Sequence, residues 1–120
     1  MRCQHEYYRQ ISLDVGDDDL VDVWVKGKLD LVVKGRYNID IKTTAAKSKN
    51  AFEAHIKTFG YMMSQGHYHR LAKVEKSLLV VISTSTNEVF VRPFTEDQMQ
   101  AGAKEFDRLL ALKLKSEGYL

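Results

Sequence analysis

Apolar and polar residues alternate with a period of two in the first part of the chain, the pattern of strands with one buried face. Ile11, Leu13 and Val15 follow this alternation. Gly16 and the aspartates after it indicate a turn, and the alternation resumes over 21–25. The pattern predicts two strands joined by a turn.

Two more apolar segments follow a break at 26–28, where a glycine lies between two lysines. They cover 29–33 and 37–43 and are separated by Lys34-Gly35-Arg36. A short glycine-containing polar segment between two apolar runs is typical of a hairpin turn. We therefore expect a central hairpin, and we expect its strands to be the best buried of the sheet.

Helical spacing replaces the alternation near Asn50, which has Glu53 at the distance of a capping box. Apolar residues then recur with the period of one core-facing stripe. The stripe consists of Phe52, Ile56, Phe59 and Met63. The pattern predicts a long helix that can extend to Leu71 and Ala72.

Two strands, 78–83 and 88–92, and a second long helix complete the chain. Thr95 and Gln98 form a capping box at the start of that helix, and Gly118 marks its end. Its apolar face consists of Met99, Ala103, Phe106, Leu110 and Leu114. The predicted order is β-β-β-β-α-β-β-α, one α/β domain over 1–120 with a mixed central sheet flanked by two long helices.

The amino-acid composition excludes several classes of protein. A chain of 120 residues with 44% hydrophobic and 28% charged residues is expected to form one globular domain, which excludes a disordered chain. The single cysteine, Cys3, excludes an internal disulfide and a zinc finger. No apolar run is long enough for a membrane span, and Met1 to Gln10 is too polar for a signal peptide. We expect a cytoplasmic protein.

Charge is distributed unevenly, although the formal net charge is only +2. The stretch from Lys26 to Lys57 contains eight basic residues and three acidic ones. Such a basic band is expected of a surface that binds a polyanion, and it also occurs on surfaces that are charged for solubility.

Three charged residues, Asp30, Asp40 and Lys42, occur within the two most apolar predicted strands. Asp40 and Lys42 are two residues apart, so their side chains project from one face of a strand, about 7 Å apart. Asp30 lies beside them if the two strands pair. Two carboxylates suit Mg²⁺ or Mn²⁺, and a lysine can orient water or stabilise charge on a phosphate. The competing interpretation is a solvated, ion-paired face.

These residues resemble a known nuclease motif. Asp30 followed by Asp40-Ile41-Lys42 is similar to the PD-(D/E)xK motif, and the surrounding strands resemble lambda-type and exonuclease VIII-type recombination nucleases. Gln65 and Tyr68 resemble the Gln-Xaa-Xaa-Tyr helix motif of these enzymes. The resemblance implies a restriction-endonuclease-like core.

The resemblance also implies roles for individual residues. Asp30 and Asp40 would bind Mg²⁺ or Mn²⁺ together with the backbone carbonyl of Ile41, and Lys42 would be the catalytic lysine. Gln65 and Tyr68 would support the site, and Tyr68 would also contact DNA. The implied activity is that of a metal-dependent recombination exonuclease acting on linear duplex DNA. The alternatives are a non-catalytic DNA-binding or assembly module that keeps the fold, and a structural domain with a coincidental motif.

Basic residues near these motifs are candidates for contacts with DNA. Lys47 and Lys49 follow the strand of Asp40, and Arg70 and Lys73 extend the surface beyond Tyr68. The resemblance implies double-stranded DNA and a single-strand annealing protein as partners, and a bacterial cell or phage-infected host as the setting. Resemblance and small size together predict a homo-oligomer, for which a trimer is our expectation.

The chain departs from the family pattern at two places. Leu29 occupies the position of the motif's proline. Family members also have a segment before the sheet that supplies another ligand, and here Glu6 or His5 is the candidate. The chain is either a minimal member, a fragment, or one that completes its site by association. His67 and His69 are expected to be solvated or to face DNA.

Overall fold

A computed structural model of the chain describes residues 2–16, 19–58 and 60–119, with side chains from Glu6 onward. The elements, in chain order, are β1 (Arg2–Gly16), β2 (Asp19–Val33), β3 (Tyr37–Thr44), α1 (Lys49–Thr58), α2 (Tyr61–Ala72), β4 (Lys76–Ser83), β5 (Val89–Pro93) and α3 (Glu96–Ser116). None of the helices in these ranges is long and apolar enough to cross a membrane.

The strands form one five-stranded sheet in the order β1-β2-β3-β4-β5. β3 and β4 are parallel, and the other neighbouring pairs are antiparallel. The parallel pair requires a crossover, which α1 and α2 supply. The predicted mixed α/β fold is therefore confirmed, and so is the hairpin between β2 and β3.

The first half of the chain differs from the prediction in its number of strands. The two strands expected over 21–25 and 29–33 form one continuous strand, β2. Gly27 does not interrupt it, because this glycine permits close packing rather than a turn. A Cβ atom added at Gly27 would lie 2.8 Å from Leu71 Cδ1 and 3.0 Å from the ring of Tyr68. β2 and α2 therefore pack closely at this position.

The predicted long helix is two helices. Gly60 separates α1 from α2 and has a φ of 65°, a left-handed conformation that glycine adopts without strain. Ser48, not Asn50, caps α1, because the Ser48 hydroxyl accepts from the Ala51 N–H at 3.1 Å. In the predicted stripe, Phe52 and Ile56 are buried, Met63 is half-buried on α2, and Phe59 lies outside the described residues.

All three helices pack against one face of the sheet. The core on that face contains Phe52, Ile56, Leu79, Val81, Phe94 and Met99. The capping box of Thr95 and Gln98 is present, and α3 ends just before Gly118, as predicted. The opposite face of β3, β4 and β5 carries the exposed apolar side chains Ile41, Ile82, Val89 and Val91. The central strands are thus buried on one face only.

Candidate metal and catalytic site

The site lies where β2 and β3 separate. Their backbone pairing runs from Val33 and Tyr37 to Leu31 and Ile39, and the next pair would be Asp30 opposite Asp40. There the Ile41 N–H donates to Asp30 Oδ2 at 3.1 Å instead of to a strand carbonyl. β3 continues to pair with β4 on its other side. The carboxylate of Asp30 therefore occupies the gap that opens between the two central strands.

Asp40 and Lys42 project from the same face of β3, as their spacing predicted. Lys42 Nζ lies 2.9 Å from Asp40 Oδ2, and it also lies 4.9 Å from the ring centroid of Tyr61 on α2. Asp40 is only 7% exposed. The ammonium group is thus held between a buried carboxylate and an aromatic ring.

Burial and proximity shift the pKa values of the two carboxyl groups in opposite directions. Burial, followed by the hydrogen bond shared with Asp30, raises the pKa of Asp40 to about 6 despite the nearby Lys42. The same hydrogen bond lowers the pKa of Asp30. Burial acts to lower the pKa of Lys42, but Asp40 more than compensates, so this pKa is raised. The pair retains one proton, on Asp40, to a higher pH than isolated carboxylates would, and Lys42 stays charged.

The raised pKa of Asp40 predicts how stability depends on pH. Between about pH 4 and pH 6 the folded state holds the Asp40 proton and the unfolded state has released it, so the free energy of unfolding falls as pH rises through this window. Asp40→Asn removes this loss. We compare the free energy of unfolding of the variant with that of wild type at each pH. The difference, variant minus wild type, should be about 2 kcal/mol higher at pH 8 than at pH 4. Urea denaturation in EDTA measures the difference.

Asp97→Asn is the matched control for this measurement, because Asp97 is an exposed aspartate on α3, away from the paired carboxylates. The difference between its effects at pH 4 and pH 8 should be much smaller than the difference for Asp40→Asn, because the side chain of Asp97 is exposed to solvent. An equal effect of Asp40→Asn at pH 4 and pH 8 would contradict the electrostatic description of the pair.

The stripe of Tyr61, Gln65 and Tyr68 on α2 faces this site. Gln65 is fully buried, and its Oε1 accepts from Asn38 Nδ2 at 2.9 Å. Burial, and then the charge of Asp40, raise the pKa of Tyr68, so its hydroxyl stays protonated beside the carboxylates. Sequence reasoning missed Asn38, although it lies two residues before Asp40 on the same strand face and the same periodicity could have identified it.

The predicted DNA-contacting residues are in different environments. Lys47 and Lys49 are exposed between β3 and α1, and Lys73 is exposed at the C-terminal end of α2. The guanidinium of Arg70 donates to both carboxylate oxygens of Asp107, at 2.7 and 2.8 Å. Arg70 therefore joins α2 to α3, and its charge is already balanced.

The expectation that His67 and His69 are solvated or face DNA is wrong. His67 is buried and stacks on Phe106 with ring centroids 3.9 Å apart. His69 is buried and hydrogen-bonded to Ser77. Both side chains point into the interfaces that α2 makes with α3 and β4, because α2 is covered on more than one side.

The donor set at the site fits a hard divalent cation with two protein carboxylates. Among the described side chains, no third His, Cys, Asp or Glu joins Asp30 and Asp40 in a potential metal-binding group. Glu6 is an exposed residue of β1 and accepts a hydrogen bond from the Tyr8 hydroxyl. The side chain of His5 lies outside the described residues. Mg²⁺ is commonly held by one or two carboxylates, waters and substrate phosphates.

The state of Asp40 also favours a cation. Its Oδ2 is buried and makes no aligned hydrogen bond within the described part of the chain, although Lys42 Nζ lies 2.9 Å away. The raised pKa shows that this positive charge does not fully offset burial and the nearby Asp30. A second positive charge at the pair would stabilise both ionised carboxylates.

Solved structures share this fold. One is named "Putative exonuclease" from Eubacterium rectale, with a TM-score of 0.68 and 13% identity over 99% of this chain and 46% of that chain. Another is named SSO0001, with a TM-score of 0.54 and 21% identity over 90% of this chain and 49% of that chain. The chain thus spans about half the length of these two proteins. No curated protein matches it.

A family model also matches the sequence, over residues 15–115, and is described as a PDDEXK-like domain of unknown function (DUF3799). The match covers most of the chain and includes Asp30, Asp40, Lys42 and Gln65. It confirms the resemblance to the PD-(D/E)xK nuclease superfamily. The chain belongs to this family of PDDEXK-like domains.

Proposed function

We propose that this chain is a metal-dependent DNA nuclease domain, a recombination-type exonuclease that hydrolyses phosphodiester bonds of linear duplex DNA. The observation that carries the proposal is the convergence of Asp30, Asp40 and Lys42 where the ladder between β2 and β3 opens. The name of the Eubacterium rectale protein supports the exonuclease assignment.

The metal ligands in this proposal are Asp30, Asp40 and the backbone carbonyl of Ile41. In an extended strand the N–H and C=O of one residue point to the same side. Because the Ile41 N–H points at Asp30, the Ile41 carbonyl is directed into the same gap. A Mg²⁺ or Mn²⁺ ion bound there would activate a water molecule and neutralise charge on the phosphate.

Lys42 has two functions in the proposed reaction. Its ammonium can hold the attacking water by hydrogen bonding, and it can stabilise the charge that develops on the phosphate oxygens. Both functions need a fixed position, which Asp40 and the ring of Tyr61 provide. The raised pKa of Lys42 keeps the group charged at neutral pH.

The direct test is incubation of the purified chain with end-labelled linear duplex and with closed circular duplex, in Mg²⁺, Mn²⁺ or EDTA. Degradation of the linear duplex only, abolished by EDTA, is the expected result. Cleavage of the circle would replace the exonuclease assignment with an endonuclease. Binding without cleavage would favour a non-catalytic DNA-binding or assembly module, which the two-carboxylate donor set of the described residues keeps as the second candidate.

The exposed lysines beyond β3 are proposed to meet DNA phosphates at the mouth of the site. Replacing both Lys47 and Lys49 by alanine should weaken binding of every DNA sequence and reduce the slope of log K against log [salt] by about 1.8, because each lost phosphate contact removes about 0.9. Binding titrations at several salt concentrations measure this slope.

A double variant of Lys76 and Lys104 to alanine is the control, because it removes the same charge from exposed positions outside that segment. Equal slopes for the two double variants would show that Lys47 and Lys49 act only through net charge. Arg70 is expected to contribute little, since Asp107 already pairs with its charge.

We further propose a homo-oligomer, with three copies enclosing the duplex, because one chain of 120 residues has too little surface to surround DNA. Sedimentation at working concentration tests this, and a monomer would contradict it. A single-strand annealing protein as partner and a cytoplasmic location in a bacterial or phage-infected cell remain predictions of the resemblance.

A further inference from the structure

A path of hydrogen-bonded side chains connects the first turn of α3 with Gln65 in the candidate site. Glu96 Oε2 lies 2.9 Å from His69 Nε2, and His69 Nδ1 lies 2.8 Å from Ser77 Oγ. Asn38 Nδ2 lies 3.3 Å from Ser77 Oγ and 2.9 Å from Gln65 Oε1. The path runs from α3 through α2, β4 and β3 and returns to α2.

Most of the side chains in this hydrogen-bonded path are shielded from water. Asn38, Gln65 and Ser77 are fully buried and His69 is 8% exposed, whereas the carboxylate of Glu96 reaches the surface. Buried polar groups that lose a partner cannot replace it with water, so each side chain in the path is held to its present partner. The orientation of each group therefore depends on the next one.

Glu96 determines the direction of the hydrogen bonds. An ionised carboxylate only accepts, so His69 Nε2 carries the proton and donates to it. A neutral imidazole then accepts at Nδ1, which makes the Ser77 hydroxyl the donor to His69. Ser77 Oγ accepts from Asn38 Nδ2, and the second hydrogen of that NH₂ group goes to Gln65 Oε1. Within the described part of the chain, the NH₂ group of Gln65 is then left without a partner.

Without Glu96 the same contacts could be made in the opposite direction. His69 would donate from Nδ1 to Ser77, Ser77 would donate to Asn38 Oδ1, and both amides would be turned by 180°. Gln65 would then direct its carbonyl, not its NH₂ group, away from Asn38. Two acceptors, the carbonyl and an ionised carboxylate or phosphate, repel one another at such a position.

The free NH₂ group of Gln65 belongs to a side chain on the face of α2 that is turned to the candidate site. Gln65 Nε2 is buried and has no hydrogen-bond partner within the described residues. On α2 it lies between Tyr61, whose ring covers Lys42, and Tyr68, which interacts electrostatically with Asp40. A donor at this point can bind a phosphate oxygen or the attacking water.

We propose that Glu96, His69, Ser77 and Asn38 are positioning residues that fix the amide of Gln65 so that its NH₂ group is presented to the bound phosphodiester or its attacking water. The inference rests on the proposed nuclease function for its catalytic consequence. The direction of the hydrogen bonds can be tested independently of that function.

The first test is the protonation pattern of His69, measured by ¹⁵N NMR of the metal-free protein at pH 8. In wild type we expect the proton on Nε2, the nitrogen that faces Glu96, and none on Nδ1, the nitrogen that faces Ser77. Glu96→Ala should convert the ring into a mixture of tautomers. Asp97→Ala is the matched control, because it removes the same charge from the same helical turn and should leave His69 unchanged. A wild-type ring protonated on Nδ1, or on both nitrogens, overturns the proposal.

The second test is kinetic. Glu96→Ala should lower kcat about fivefold with little change in KM, the loss expected when one orienting hydrogen bond is removed. Glu96→Gln should restore most of kcat, because its amide oxygen can still accept from Nε2, and Asp97→Ala should not change kcat. Equal losses in the two alanine variants would overturn the link to the site. If wild type cleaves no DNA, the proposed function fails. The NMR result then decides by itself the donor-to-acceptor direction of the hydrogen bonds between Glu96 and Gln65.

Discussion

Replacing Lys42 by alanine is expected to reduce the rate of phosphodiester cleavage by about 10³-fold, the loss typical when a fixed charge that stabilises a transition state is removed. Lys42 Nζ lies 2.9 Å from Asp40 Oδ2 and over the ring of Tyr61, so its ammonium group is fixed beside the carboxylates. Asp40→Asn should cause a similar loss, because a neutral amide holds a divalent cation poorly.

Measurement of single-turnover rates on linear duplex at saturating Mg²⁺ tests both variants. Lys76→Ala is the control, since Lys76 is an exposed lysine at the start of β4 whose side chain lies away from the site. Circular dichroism should show that all three variants are folded, as none of them removes an apolar side chain from the core. Wild-type rates in folded Lys42→Ala and Asp40→Asn proteins would refute the assignment of the site.

Replacing Gly102 by alanine is expected to lower the free energy of unfolding by about 3 kcal/mol, which corresponds to a decrease in Tm of about 10 °C for a domain of this size. α2 and α3 cross at Gly66 and Gly102 with their backbones in contact. A Cβ atom at Gly102 would lie 2.1 Å from the carbonyl oxygen of Met62, and one at Gly66 would lie 2.4 Å from the backbone N of Ala103. Backbone atoms cannot rotate away as a side chain can.

The sign of this effect distinguishes close packing from helix propensity. Alanine is favoured over glycine by about 1 kcal/mol in the interior of an isolated helix, so propensity alone predicts that Gly102→Ala stabilises the protein. Ala101→Met is the control, because it enlarges an exposed side chain on the same turn of α3. Urea denaturation of the three proteins gives the comparison, and an unchanged or higher stability of Gly102→Ala would contradict the helix crossing.

Local pattern was sufficient for the class of the fold and for much of the site. The alternation of apolar residues identified strands, and the capping box at Thr95 located the start of α3, because both signals depend on neighbours within a few residues. The two-residue spacing of Asp40 and Lys42 likewise placed their side chains together, since strand geometry fixes that relation before any tertiary contact forms.

Two errors in the strand and helix boundaries have the same cause. The sequence pattern predicts a break in a strand at Gly27 and no break in a helix at Gly60, and the structure shows the opposite at both positions. A glycine either relieves backbone strain or allows another element to approach, and the sequence around it does not state which. The packing of Leu71 and Tyr68 on Gly27 decided the first case, and the left-handed φ of Gly60 decided the second.

The sequence by itself determined the chemistry of the site: which carboxylates, which lysine and which helix motif the chain carries, and the strands on which they lie. The tertiary structure alone decided the pKa values, the ion pairs and the hydrogen bonds of these groups. Burial raises the pKa of Asp40, Asp107 neutralises Arg70, and the path from Glu96 to Gln65 joins residues that are far apart in the chain. Desolvation, ion pairing and hydrogen bonding depend on distances between elements, and such distances exist only once the helices have packed on the sheet.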